Sequence, residues 1–200
     1  MKLALLRHGA TDWNAAGRVQ GHTDIPLSEA GLAQMQALRL PFMPARAFAS
    51  PLLRARQTAQ ALGLADLALD ARLMEQNWGR WEGHTRDEII TRDGADCYIR
   101  AGADRGGAFR PPGGESTQDV LDRVAAFFKD MASGALAGGD AVAVAHLGVL
   151  RAAYTLATGW DMKAPMPADL DVSKILLLRL SADGAPVIDT LNMNFIARTA

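Results

Sequence analysis

Short apolar runs alternate with longer amphipathic stretches along this chain, and the runs stop at polar or glycine-containing turns. Leu3 to Leu6 is continuously apolar and ends at Arg7-His8-Gly9, the pattern of a buried strand entering a loop. Ser28 caps a helix running to Leu40, with Leu32, Met35 and Leu38 on one face and Pro41 and Pro44 ending it. Arg46 to Ser50 predicts a second strand. Pro51 then takes a favoured first helical position, and Leu52 to Leu62 predicts a helix closed by Gly63. Leu67 to Leu73 is a weaker strand, and Thr85 with Glu88 three positions on marks a capped helix to about Thr91. Asp93 to Glu115 breaks the rhythm with Gly106-Gly107 and Pro111-Pro112-Gly113-Gly114, so it is expected to be a loop-rich insertion or lid. A capped helix follows from Ser116-Thr117-Gln118-Asp119 to about Ala132, with Val120, Val124, Phe127 and Phe128 on its apolar side. Ala141 to Ala145 reads as a buried strand stopping at His146-Leu147-Gly148. Val149 to Thr158 is a helix, and Ser173 to Leu180 and Pro186 to Leu191 are strands around Asp183-Gly184. Alternating strands and helices predict an α/β fold, a single domain over 1–200 with a mostly parallel sheet.

Composition narrows the function classes. The chain has 200 residues, with 21 Lys and Arg against 22 Asp and Glu. That balance argues against nucleic acid or a polybasic membrane contact as partner. Hydrophobic residues at 49% and charged residues at 22% fit an ordinary globular core. The single cysteine, Cys97, excludes an internal disulfide and a multi-cysteine zinc site. No apolar run reaches the roughly 18 residues of a membrane span, and the apolar start is too short for a signal-peptide core. The expectation is a soluble, cytoplasmic protein.

The chemistry sits at the ends of the apolar runs. His8 and His146 each follow a short strand and precede a glycine-containing turn, and in open α/β sheets ligands bind outside the carboxyl ends of the strands. Arg7 stands beside His8, and Arg54 lies in the first turns of the helix after Ser50-Pro51. Two guanidinium forks, two imidazoles and a helix N-terminus make a pocket for a dianion, with phosphate the natural candidate. Nearby cations keep a histidine neutral, and a neutral imidazole is a nucleophile toward phosphorus. A leaving alkoxide then needs an acid, for which Glu75 and Glu82 are the candidates. A metal site built from the two histidines and Glu75 is disfavoured by the adjacent arginines.

Leu6-Arg7-His8-Gly9-Ala10-Thr11-x-Trp13-Asn14 resembles the signature of the histidine phosphatase (phosphoglycerate mutase-like) superfamily. Four further blocks match in order. They are Gly17-Arg18-x-Gln20-Gly21-x-Thr23-Asp24-x-Pro26-Leu27-Ser28-x-x-Gly31, Ser50-Pro51-Leu52-x-Arg54-Ala55-x-Gln57-Thr58-Ala59, Glu75 to Gly83, and Val144-Ala145-His146-x-Gly148-Val149-x-Arg151. The resemblance spans nearly the whole chain and implies a three-layer αβα sandwich. It implies that His8 takes the phosphoryl group, that Arg7, Arg54 and His146 hold its oxygens, and that Asn14 touches phosphate or the transferred group. It makes Glu75 the proton donor and Glu82 a structural or substrate-orienting group, and places Thr23 in a loop closing over the phosphate. No metal or other cofactor is implied, and the partner is a small phosphate monoester. A homodimer is compatible with such a fold, though no residue pattern marks its edge. One position departs from the pattern: Leu147 stands where the family usually has glycine, which puts the local turn and any backbone donor at 147 in question.

The compact chain and its Trp81-Glu82-Gly83 and Pro112-Gly113-Gly114-Glu115-Ser116 stretches look most like the branch containing α-ribazole phosphatase and broad-specificity sugar phosphatases. α-Ribazole 5′-phosphate is the expected substrate on that resemblance. The alternatives are mutase-type phosphoryl transfer, action on a phosphoprotein, or phosphate binding without catalysis. Arg100, Arg105 and Arg110 are candidate lid contacts.

Overall fold

The computed structural model describes residues 1–97, 107–132, 139–162 and 166–199. Its centre is a six-stranded sheet built from β1 (Lys2–Arg7), β3 (Arg46–Ala49), β4 (Leu67–Leu69), β5 (Ala141–Ala145), β6 (Ile175–Leu180) and β7 (Pro186–Met193). The strand order is β4-β3-β5-β1-β6-β7. Neighbours β4, β3, β5 and β1 run parallel, β6 runs antiparallel to β1, and β7 is antiparallel to β6. The sheet is therefore mostly parallel, as expected.

The apolar runs are continuous because both faces of the sheet are covered. Along β1, Leu3 and Leu5 enter one core, while Ala4 and Leu6 enter the other. Along β5, Ala141, Ala143 and Ala145 face the first core, and Val142 and Val144 the second. The first core is closed by α5 (Thr117–Ala132) and α6 (Leu147–Thr158), through Val124, Phe127, Phe128, Leu150 and Ala153. The second is closed by α3 (Leu53–Ala61), through Ala55 and Ala59, with α2 (Glu29–Gln36) packed on α3. The result is the three-layer αβα sandwich that the resemblance implied. Each fully buried leucine, valine or phenylalanine in these layers contributes roughly 1.5–3 kcal/mol of transfer free energy. Among the described residues no helix is long and apolar enough to cross a membrane.

Several boundaries differ from expectation, each for a local reason. The second helix ends at Gln36, because Leu38–Arg39 forms β2 and pairs antiparallel with β8 (Ile196–Ala197). Pro41 favours an extended Leu40 rather than another helical turn. Pro51 precedes the N-cap Leu52 instead of opening the helix. The predicted strand 67–73 stops at Leu69, since Asp70 accepts from Arg72 N–H and starts a 3₁₀ turn over Ala71–Leu73. Thr11 and Asn14 form a capping box on a four-residue helix, α1 (Asp12–Ala15), which carries too few residues to show a period. The Thr85–Glu88 capping box opens α4 (Arg86–Asp93) where expected.

Of the insertion 93–115, residues 98–106, and with them Arg100 and Arg105, lie outside the described residues. The described part from 107 packs on the 77–81 segment. Arg80 N–H donates to Pro112 O at 3.0 Å, Glu115 N–H to Asn77 O at 2.8 Å, and Phe109 stacks on Trp81. Arg110 pairs with Asp119 on α5.

Candidate active site

Three neighbouring parallel strands deliver the site. In register, Arg7 on β1 lies beside Ala145 on β5, and Ala49 on β3 beside Val144. His8 and His146 therefore leave adjacent strand ends, and Arg54 rises from the helix that follows β3. His8 N–H donates to Ala145 O at 2.9 Å, which ties the two loops together. The imidazole centroids are 5.0 Å apart. Arg54 and His146 are fully buried and His8 nearly so. The structure thus brings Arg7, His8, Arg54, His146 and Glu75 together.

The electrostatics favour neutral imidazoles. Burial first, then the charges of Arg54 and Arg7, push the His8 pKa from 6.5 down to about 3. His146 is held well below the usual histidine value by burial, by His8 and by the surrounding arginines. His8 Nδ1 lies 2.7 Å from Gly9 O. In a neutral ring facing a carbonyl, Nδ1 carries the proton and Nε2 keeps its lone pair. Gly9 is itself fixed, its N–H donating to Thr58 Oγ1 at 2.9 Å. Both ring nitrogens of His146, and the Nε atoms of Arg7 and Arg54, are buried without a hydrogen-bond partner. Buried polar atoms normally have partners, so these four atoms leave hydrogen-bonding capacity for a ligand. The other Arg54 nitrogens hold the neighbouring loop, Nη1 on Thr23 O at 3.0 Å and Nη2 on Gly21 O at 2.7 Å.

Glu75 supplies a buried carboxyl opposite these cations. Burial raises its pKa, and the N–H donors and nearby arginines offset this only in part. Its Oε1 accepts from Gln76 N–H at 2.8 Å and from Gly148 N–H at 3.0 Å, in the first turn of α6. A Cβ on residue 148 would stand 2.2 Å from that oxygen, so a side chain there would displace the Glu75 carboxyl. Leu147 opens α6 directly after its N-cap His146, and its φ is not positive. A side chain is therefore tolerated at 147, and α6 starts two residues earlier than its sequence pattern suggests.

The other expected residues fall in different places. Asn14 lines the pocket, with Oδ1 taken by Thr11 N–H at 3.0 Å, which leaves its amide nitrogen for a ligand. Thr23 and Glu82 are occupied with each other. Thr23 N–H and Oγ–H donate to Glu82 Oε2 at 2.7 and 2.6 Å, while His22 N–H and Trp78 N–H donate to Oε1 at 2.9 and 3.0 Å. Burial raises the Glu82 pKa, but these donors outweigh it and hold the carboxylate below its usual range. Neither residue lines the pocket. Glu115 and Ser116 are likewise engaged, Ser116 in the cap of α5 through Asp119 and Glu115 with Arg123.

The open pocket holds about 210 Å³. Beyond the reacting end its walls include Arg18, Gln20, Gln76, Trp78 and Arg151, residues that sequence reasoning did not place in the site. All five stand inside the matched blocks, the one signal that pointed to them. Among the described residues no group of three or more His, Cys, Asp or Glu side chains is arranged to hold a metal ion. Chemically, the arrangement can bind a phosphoryl dianion, present one imidazole lone pair to it, and donate one proton from a buried carboxyl.

Residues 3–194 match the model of the histidine phosphatase superfamily (branch 1). A glucosyl-3-phosphoglycerate phosphatase of Mycolicibacterium vanbaalenii is 36% identical over 167 residues, covering 76% of this chain and 71% of that protein. A 2,3-bisphosphoglycerate-dependent phosphoglycerate mutase of Methylobacterium radiotolerans is 31% identical, covering 90% of each chain. The solved structure of an Escherichia coli protein, provisionally assigned as an α-ribazole-5′-P phosphatase, superposes with a TM-score of 0.77 at 26% identity, over 100% of this chain and 99% of that one.

Proposed function

The chain belongs to the histidine phosphatase superfamily, and on that premise we propose that it is a metal-independent phosphomonoesterase passing the phosphoryl group of a small phosphorylated metabolite through His8. The observation that carries this reading is the state of His8. Burial and the Arg54 and Arg7 charges favour the neutral ring, Nδ1–H faces Gly9 O, and Nε2 keeps its lone pair.

In the first step Nε2 attacks phosphorus and the P–O ester bond breaks. The Glu75 proton goes to the leaving oxygen. The phosphorylated imidazole carries positive charge, which the Nδ1–H bond to Gly9 O stabilises. Arg7, Arg54 and His146 hold the equatorial oxygens, where charge accumulates in the transition state. They supply the positive charge that a metal ion provides in other phosphatases. In the second step Glu75, now a carboxylate, takes a proton from water. The oxygen of that water attacks phosphorus, the P–N bond breaks, and orthophosphate leaves with His8 restored. A raised Glu75 pKa suits the donor role, since the proton must be present near neutral pH.

The polar wall of Arg18, Gln20 and Arg151, with the Trp78 ring, fits a small, hydroxyl-bearing substrate. α-Ribazole 5′-phosphate and glucosyl-3-phosphoglycerate are the two named compounds the relatives suggest. A second reading, phosphoryl transfer between positions of one sugar acid, is favoured by the phosphoglycerate mutase relative. The deciding experiment is phosphate release from a panel of both compounds, 3-phosphoglycerate and an aryl phosphate, in chelator, with His8→Ala alongside. Release that needs His8 supports the phosphatase. Isomerised 3-phosphoglycerate without net phosphate supports the transferase.

A further inference from the structure

Residues 74 to 78 cross the site without regular secondary structure, between the 3₁₀ turns Ala71–Leu73 and Gly79–Trp81. Such a segment needs side chains to satisfy its backbone polar groups. Arg123, from the middle of α5, is largely buried and reaches this segment and the turn before it. Its Nη1–H donates to Arg72 O at 2.6 Å and its Nη2–H to Glu75 O at 3.1 Å. Glu115 holds the same guanidinium from the other side, at 3.1 Å to Nε and 3.2 Å to Nη2. Glu115 also accepts from Asn77 N–H at 2.9 Å, and its backbone carbonyl accepts from Gln76 Nε2 at 2.8 Å. His22 adds a second donor to Glu75 O, through Nε2–H at 2.9 Å.

The decisive relation is covalent. Glu75 C=O and Gln76 N–H belong to one peptide unit, which is planar. Arg123 and His22 hold its carbonyl, while its N–H donates to Glu75 Oε1. Turning this peptide would swing the N–H that aims the carboxyl. We propose that Arg123, braced by Glu115, is a positioning residue that fixes the Glu75–Gln76 peptide plane and thereby aims the Glu75 carboxyl at the leaving-group oxygen. The proposal rests on the reading of Glu75 as the acid. It requires that loss of Arg123 act through Glu75 and therefore depend on the leaving group, because an activated aryl oxide needs little protonation and an alkoxide needs much.

The test measures kcat/KM on an aryl phosphate and an alkyl phosphate for wild type, Arg123→Gln, Arg123→Lys, Glu75→Gln and the Glu75→Gln/Arg123→Gln double variant. Arg123→Gln is expected to lose about 10²-fold on the alkyl ester through kcat, and less than about threefold on the aryl ester, as for a misplaced catalytic group. Arg123→Lys recovers part of the loss. The double variant is no slower than Glu75→Gln alone, since both changes remove one function. If Arg123→Gln does not fold, Glu115→Gln carries the same comparisons. Equal losses on both esters, or additive losses in the double variant, would overturn the proposal. If Glu75→Gln itself loses equally on both esters, it is the acid reading of Glu75 that fails. A leaving-group-dependent Glu75→Gln combined with additive Arg123→Gln sinks the positioning role alone.

Discussion

Gly148 N–H donates to Glu75 Oε1 at 3.0 Å, and a Cβ at residue 148 would lie 2.2 Å from the same oxygen. The helix capped by His146 thus presents a buried imidazole and the amide that holds the Glu75 carboxyl within one turn. Gly148→Ala is expected to push the carboxyl out of line and to slow alkyl phosphate hydrolysis by about 10²-fold while sparing an activated aryl ester. Leu147→Gly, one residue earlier, should lower stability by about 0.5–1 kcal/mol and leave turnover on both esters in place. Melting temperature and kcat on the two esters check the pair. A Gly148→Ala enzyme with normal alkyl phosphatase activity would remove the close contact from the account.

The acid role of Glu75 has a pH signature. A general acid works protonated, and the Glu75 pKa is raised by burial. kcat/KM on an alkyl phosphate should therefore fall as pH rises through a pKa above the ordinary carboxylate value of 4.5. Glu75→Gln should lose about 10²–10⁴-fold on that ester and abolish this basic limb. An unchanged limb in the variant would assign it to another group.

Glu82 is expected to act on the loop, not on the proton. Its four donors come from His22, Thr23 and Trp78, and Arg54 joins the same loop through Thr23 O and Gly21 O. Glu82→Gln should raise KM for aryl and alkyl esters alike, since it loosens the wall of the pocket. A loss confined to the alkyl ester would instead make Glu82 a competing acid.

The depressed histidines also act on stability. Folded His8 titrates at about 3 against 6.5 when unperturbed. Between these values the unfolded chain binds a proton that the folded chain does not, so stability rises with pH across that window. The contribution is full above about 6.5 and is lost as pH falls toward 3. His8→Asn should therefore melt with a shallower decline on acidification than wild type. Parallel melting curves against pH would contradict the buried, neutral state of His8.

The positions of Arg7, His8, Arg54 and His146 were legible in the sequence because Arg7 ends a short apolar strand, His8 and His146 follow one and Arg54 opens the helix after another, and a parallel sheet gathers the ends of its strands. The layers were legible for the same reason, since continuous apolar runs of four to six residues imply a sheet covered on both faces. The partners that aim the site were not legible. Arg123 lies 48 residues from Glu75, on a helix whose apolar pattern reports only its buried face, and the hydrogen bond falls on a backbone carbonyl that leaves no side-chain signal. Thr23 reads as a phosphate contact, yet the fold spends both of its donors on Glu82, a pairing across 59 residues. Leu147 reads as a disturbance because a tripeptide does not reveal that the helix begins there.

If His8 Nε2 takes the phosphoryl group as proposed, rapid-quench trapping finds the phosphoenzyme there. The enzyme is mixed with an aryl phosphate in chelator, quenched in base to preserve phosphohistidine, digested and mapped by mass spectrometry. One phosphoryl group is expected on His8, formed and consumed at rates compatible with turnover, and none in His8→Ala. A phosphoryl group on another residue, or turnover that persists in His8→Ala, would contradict it.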